Sequence, residues 1–118
     1  MTNERLESSH FPYLPLRVQI GGRSYDLDAL VDTGFDGDVT VPASLFGIEL
    51  PERSEVHGHL ADGSVVLIPS YAAEVRLGRQ GPFPIFLLVL GDEPSVGRGI
   101  TDRFRLILDH GERVVLEP

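Results

Sequence analysis

Apolar and polar residues alternate along much of this chain, and the alternation has the period of a strand. Leu16-Arg17-Val18-Gln19-Ile20 repeats with period two, as a half-buried strand does. Gly21-Gly22 follows and suits a hairpin turn that needs positive φ. Tyr25, Leu27, Ala29 and Val31 then alternate with Asp26, Asp28 and Leu30, so a second strand runs directly into Asp32. The segment 34–38 reads as a loop, and Val39-Thr40-Val41 resumes an extended path up to Pro42. A short turn or helical piece is expected within 44–50. Extended runs over 56–61 and 64–68 flank Asp62-Gly63, a strong hairpin signal. The segment 71–77 alternates again, 78–84 reads as a turn, and 85–90 is a continuous apolar strand. The best helix candidate is the short segment 97–104. A last hairpin, 105–108 with 113–116, turns around His110-Gly111. Residues 1–10 read as a loose polar tail and 11–118 as a single domain. Many short strands separated by turns predict an all-β, closed barrel-like sheet with one short C-terminal helix.

Composition narrows the functional classes. The chain has 118 residues, of which 42% are hydrophobic and 24% charged, the profile of a soluble globular domain. No apolar run approaches the roughly 20 residues that span a bilayer, and the first ten residues contain no apolar signal core. With no cysteine there is no disulfide and no thiolate chemistry. A cytoplasmic location is the expectation. The net charge of −8, from 18 acidic and 10 basic residues, argues against nucleic acid, whose binding depends on Lys and Arg neutralising phosphates. No membrane partner is expected either.

The chemistry concentrates at Asp32. It stands where an apolar strand stops, so its carboxyl is expected to emerge beside the core. Thr33 adds a hydroxyl that both donates and accepts, and Gly34 allows close backbone approach. A carboxyl on a rigid strand end is how a preorganised acid or base is built. Hydrolysis of a peptide by water needs a base for the water's proton and an acid for the carbonyl oxygen and leaving nitrogen. Two carboxyls sharing one proton serve both needs, because mutual repulsion separates their apparent pKa values. The chain holds one Asp-Thr-Gly and no Asp-Ser-Gly, so a second carboxyl has to come from a second copy across a two-fold axis. Asp-Thr-Gly alone arises by chance in roughly a few per cent of chains this long. An ordinary strand-end turn favours the same residues, so the tripeptide by itself leaves both readings open.

Context adds a resemblance. The stretch 16–41, with its strand, Ile20-Gly21-Gly22 turn, second strand and Ala29-Leu30-Val31-Asp32-Thr33-Gly34, resembles the N-terminal half of a retropepsin-like aspartic protease (clan AA), the single-domain family typified by retroviral proteases. Ser95-Val96-Gly97-Arg98-Gly99-Ile100 resembles that family's second signature, an apolar pair and Gly-Arg-Asp/Asn entering the helix. The resemblance covers about residues 11–118. It implies a homodimeric aspartic endopeptidase acting on peptide or protein, with no metal or cofactor. By position it makes Asp32 catalytic, Thr33 the hydroxyl that bonds across the dimer axis, and Gly34 the glycine beside substrate. It makes Asp36 a substrate-backbone partner and Arg98, next to Gly97, a brace for the dimer, and so implies an Asp36–Arg98 ion pair. The hairpin 56–68 matches the flap, with Ala61, Asp62 and Gly63 at a substrate-facing tip. Terminal strands interleave between subunits in the family, and Val114-Val115-Leu116 are the candidates here.

Several positions depart from the pattern. Phe35 stands where a small residue is usual, and its ring would narrow the cleft or reshape the first substrate pocket. Gly99 replaces Asp or Asn, Ser95-Val96 is a reduced apolar pair, and the flap tip is less glycine-rich. Phe35 and Gly99 favour an alternative: a weak or inactive module that binds peptides or dimerises on the same fold. A stable monomer, inactive until assembled, is a third possibility. His57-x-His59 places both rings on one face of a strand but lacks a third ligand nearby, so no metal site is expected.

Overall fold

A computed structural model describes residues 4–45 and 54–118. The first hairpin forms where the alternation places it. Strand β2 (Tyr13–Ile20) pairs antiparallel with β3 (Arg23–Val31), and Ile20 faces Arg23, leaving Gly21-Gly22 as a two-residue turn. Both glycines have positive φ, 54° and 77°, as a type I′ turn requires. β2 turns Leu14, Leu16, Val18 and Ile20 into the core and Arg17 and Gln19 outward.

The chain continues through β4 (Val39–Val41), a 3-10 turn at Ala43–Leu45, β5 (Ser54–His59), β6 (Val65–Leu77), β7 (Gln80–Val89) and β8 (Ser95–Val96). The turn expected within 44–50 is met at its start by Ala43–Leu45, and 46–50 lies outside the described residues. These strands form one sheet in the order β2-β3-β8-β4-β7-β6-β5, and a further β2–β6 pairing closes it on itself. The ring encloses Leu27, Ala29, Val39, Val41, Val75, Leu77, Ile85, Leu87 and Val96. A single helical turn, α1 (Arg98–Thr101), follows β8 and buries Ile100 and Thr101.

A second sheet, β1-β10-β9, is built from β1 (Leu6–Ser8), β9 (Arg105–Asp109) and β10 (Arg113–Glu117). The β9–β10 turn has His110 at φ 53° and Gly111 at φ 70°, again type I′.

Four expectations change. Residues 6–8, read as part of a loose tail, are a strand paired with β10 through Leu6↔Leu116 and Ser8↔Val114. Three polar-rich residues carry no strand signal of their own, and the edge of β10 supplies it. The segments 64–68 and 71–77 are one strand running through Pro69. A proline is tolerated there because β7 pairs with β6 only from Ser70 onward, so among the described residues the strand has one open side at Pro69. The 78–84 turn shrinks to Gly78-Arg79, and Pro82 and Pro84 lie in β7, before its pairing with β4 begins at Leu87. The helix is shorter than 97–104. Arg103 and Phe104 donate to Ile100 and Thr101 instead of continuing the α pattern.

The terminal sheet holds the segment expected to serve a dimer. Val114, Val115 and Leu116 are buried, and β10 is hydrogen-bonded on both sides within one chain. In the single chain β1 and β9 therefore already occupy both edges of β10. The outer edge of β9 carries no strand among the described residues. Among those residues, no helix is long and apolar enough to cross a membrane.

Candidate active site

The chain enters the candidate site along β3 and leaves it along β4. β8 lies between these two strands and pairs with both: Val31↔Val96 is parallel, Val39↔Val96 antiparallel. The three backbone N–H groups leading to the loop are therefore all bonded. Leu30 donates to Pro94 O at 2.9 Å, Val31 to Pro12 O at 3.0 Å and Asp32 to Val96 O at 3.0 Å. Asp32 thus stands on a backbone tied from both sides. Thr40 and Ser95 add a hydroxyl–hydroxyl hydrogen bond across the β4–β8 pair.

Past Asp32 the loop folds on itself. Asp32 Oδ1 accepts the Gly34 N–H at 3.0 Å, and Asp32 O accepts the Phe35 N–H at 3.2 Å. The other carboxylate oxygen makes no such bond among the described residues. Asp32, Thr33 and Gly34 are exposed in the single chain, contrary to a carboxyl sheltered beside the core, because Leu30 and Val31 are themselves only half-buried at this end of β3. The Thr33 hydroxyl has no partner among the described residues.

The segment 97–99 clamps the loop from behind. Gly97 N–H donates to Asp38 O at 2.8 Å, Arg98 N–H to Phe35 O at 2.8 Å, and Gly99 N–H to Gly37 O at 2.9 Å. Gly97 is buried, and a Cβ there would lie 2.5 Å from Phe35 Cδ2 and 2.6 Å from Phe35 O. The Phe35 ring therefore packs over Gly97 and also over Gly37, where a Cβ would overlap it. Two glycines make the room for the bulky side chain that stands after Gly34.

Asp36 and Arg98 are both exposed, and no ion pair joins them. Arg98 fastens the loop with its backbone N–H, while its side chain extends to solvent. The residue that sequence reasoning missed is Asp38. Its Oδ2 accepts the Phe86 N–H of β7 at 2.9 Å. One more aspartate in an acidic loop offered no signal of this role.

The β5–β6 hairpin carries the other predicted residues. His59↔Val65 is its last pair, and Leu60–Ser64 form the tip, with Ala61, Asp62 and Gly63 exposed. Gly63 has φ 87°, a conformation that favours glycine. Asp62 Oδ1 accepts both the Ser64 hydroxyl at 2.6 Å and the Ser64 N–H at 2.8 Å. These bonds, the hydroxyl first, hold the Asp62 carboxyl below its ordinary pKa. His57 and His59 are exposed, and no group of three His, Cys, Asp or Glu among the described residues is placed to hold a metal ion.

Comparison with known proteins bears on this geometry. A crystal structure of a retropepsin-like aspartic protease from Rickettsia conorii matches over 98% of this chain and 93% of that one, with a TM-score of 0.66 at 18% identity. The fold is retropepsin-like. No family model matches the chain, and no curated protein matches it by sequence.

Proposed function

We propose that the chain is one subunit of a homodimeric aspartic endopeptidase whose two Asp32 carboxyls activate water. The observation that carries this reading is the placement of Asp32. It is an exposed carboxyl on a strand end fixed by backbone hydrogen bonds from two neighbouring segments, in a retropepsin-like fold. Among the described residues the terminal sheet has an open edge at β9, where a strand of a second copy can add.

In this mechanism one Asp32 is ionised and Asp32 of the partner subunit is protonated. The carboxylate takes a proton from water as the water oxygen bonds to the scissile carbonyl carbon. The carboxylic acid gives its proton to the carbonyl oxygen, which yields a neutral gem-diol. A proton then passes to the amide nitrogen, the C–N bond breaks, and the dyad returns to its starting charge. Thr33, whose hydroxyl is unbonded within the described chain, ties the two loops across the axis. Gly34 leaves room for the substrate backbone, and Asp36 and the Phe35 end of the loop line the adjoining pocket. The β5–β6 hairpin acts as a flap, with Ala61, Asp62 and Gly63 at the tip that closes over an extended peptide. Gly97 and Arg98 support the loop from behind, and the exposed Arg98 side chain is available to brace the partner.

The test compares wild type with Asp32→Asn on a mixed peptide library at mildly acidic and neutral pH. Wild type is expected to cleave and the variant to be inert while sedimenting and unfolding like wild type. A variant that cleaves at the wild-type rate ends the proposal. Peptide binding without cleavage by the wild-type dimer supports the binding-module alternative instead.

A further inference from the structure

We infer that Asp38 is a positioning residue for the Asp32 loop, and that it occupies the space a side chain at position 99 would fill. Two hydrogen bonds and one excluded space meet at this residue. Its backbone carbonyl accepts the Gly97 N–H at 2.8 Å. Its Oδ2 accepts the Phe86 N–H at 2.9 Å. Its Oδ1 stands where a Cβ on residue 99 would be, and that Cβ would also lie 2.9 Å from Gly37 O. One aspartate therefore links the loop, β7 and the start of α1.

The register shows what the carboxylate adds. β4 pairs with β7 from Val39↔Leu87 onward. Asp38 and Phe86 are each one residue earlier, so the Asp38–Phe86 bond extends the ladder by one rung, with a side-chain oxygen in place of a carbonyl. The bond lies at an exposed position, and Phe86 itself has 64% of its surface exposed. A hydrogen bond to a charged acceptor is stronger than a neutral one, so this rung is a firm end-point for the segment that starts at Asp32. Gly99 follows from the same arrangement: a residue with a side chain there would displace the carboxylate and break the rung. Positions 38 and 99 are alternatives for a single space.

The catalytic consequence rests on the function proposed above, but the structural claim does not, and the experiment separates them. Amide hydrogen exchange is followed at Phe86 in wild type, Asp38→Ala, Asp38→Asn and Gly99→Ala. Asp38→Ala is expected to speed exchange at Phe86 by about tenfold or more, with Leu16 and Val18 unchanged. Asp38→Asn keeps an acceptor oxygen and should retain most of the protection. Gly99→Ala keeps the carboxylate but displaces it, so Phe86 should be deprotected as in Asp38→Ala. In the double variant Asp38→Ala with Gly99→Ala, the second change should cost clearly less than it does alone, because only its 2.9 Å approach to Gly37 O remains. Unchanged Phe86 exchange in Asp38→Ala, or fully additive losses of stability in the double variant, overturns the inference. If either alanine variant is too unstable to study, the other gives the same readout. On a cleaved peptide, Asp38→Ala should lower kcat by about tenfold with KM nearly constant, the pattern of a misplaced reacting group. A wild-type protein that cleaves nothing removes the proposed activity and leaves the exchange result to decide the role of Asp38.

Discussion

Replacing Gly97 with alanine is the most demanding test of how the Asp32 loop is held. The added methyl would overlap Gly37 O and lie 2.6 Å from Phe35 O and 2.5 Å from Phe35 Cδ2. Moving Phe35 O from 2.6 Å to an ordinary 3.4 Å contact needs a shift of about 0.8 Å. The ring could swing away at small cost if it were the only obstacle, but the two carbonyls are backbone. They are also the acceptors for the Arg98 and Gly99 N–H groups. Overpacking costs about 1–3 kcal/mol, and weakening two hydrogen bonds adds about 0.5–1.5 kcal/mol each. The total is about 3–4 kcal/mol, a large share of the 5–15 kcal/mol typical of a domain. With a urea m-value of about 1.5 kcal/mol/M, the unfolding midpoint should fall by about 2 M. Gly63→Ala is the control, since nothing lies within 4 Å of a methyl added there and only its φ of 87° is strained. It should cost about 1 kcal/mol. A Gly97→Ala midpoint within about 0.5 M of wild type would refute the clamp.

Other outcomes follow from the same structure. Leu14→Ala, at a fully buried position of β2, should cost about 3 kcal/mol and lower Tm by roughly 10 °C, whereas Leu108→Ala, at a site 49% exposed, should leave Tm nearly unchanged in the same calorimetric scan. Stability should decline in acid. The carboxyls of Asp109 (bonded to His110, then Arg113), Asp26 (to Arg17) and Asp62 (to Ser64) are all held below the ordinary value. Depressed carboxyls stabilise the fold above about pH 4 and lose that contribution as pH falls through their lowered values. Urea midpoints should therefore drop below about pH 4, less steeply in Asp26→Asn, and midpoints that rise in acid would contradict this. Ser64→Ala should move the Asp62 pKa back towards the ordinary range in an NMR titration, because the Ser64 hydroxyl is the largest cause of its depression.

What could be read in the sequence was what neighbouring residues decide together. The alternation of 16–20 and 25–31 places β2 and β3, Gly21-Gly22 places their turn, and the end of the second strand places Asp32. Asp62-Gly63 and His110-Gly111 mark turns because these pairs tolerate the backbone the turn needs. Elements made by distant partners were not legible. β1 is a strand because β10 offers an edge, and β8 is two residues held between β3 and β4. The expected breaks between 68 and 71 and over 78–84 contain Pro69, Pro82 and Pro84, which strands tolerate on an open side that sequence does not reveal. At the site, Asp32 and Gly97 could be found by motif. The expected Asp36–Arg98 pair gave way to a backbone bond, and the aspartate that bridges the segments is Asp38. A motif identifies which residues recur, but which oxygen meets which N–H depends on packing.

The β1–β10 pairing also bears on how the chain can be rewired. Leu6 lies opposite Leu116, so the two ends of the described chain run side by side on one sheet. A short linker could join them, and the chain could be reopened at Gly21-Gly22, an exposed two-residue turn that lies apart in sequence from Asp32. Such a circular permutant would retain every strand pairing in both sheets, including the one that closes the ring. It would carry its new ends at the tip of the first hairpin and leave the Asp32 loop uninterrupted.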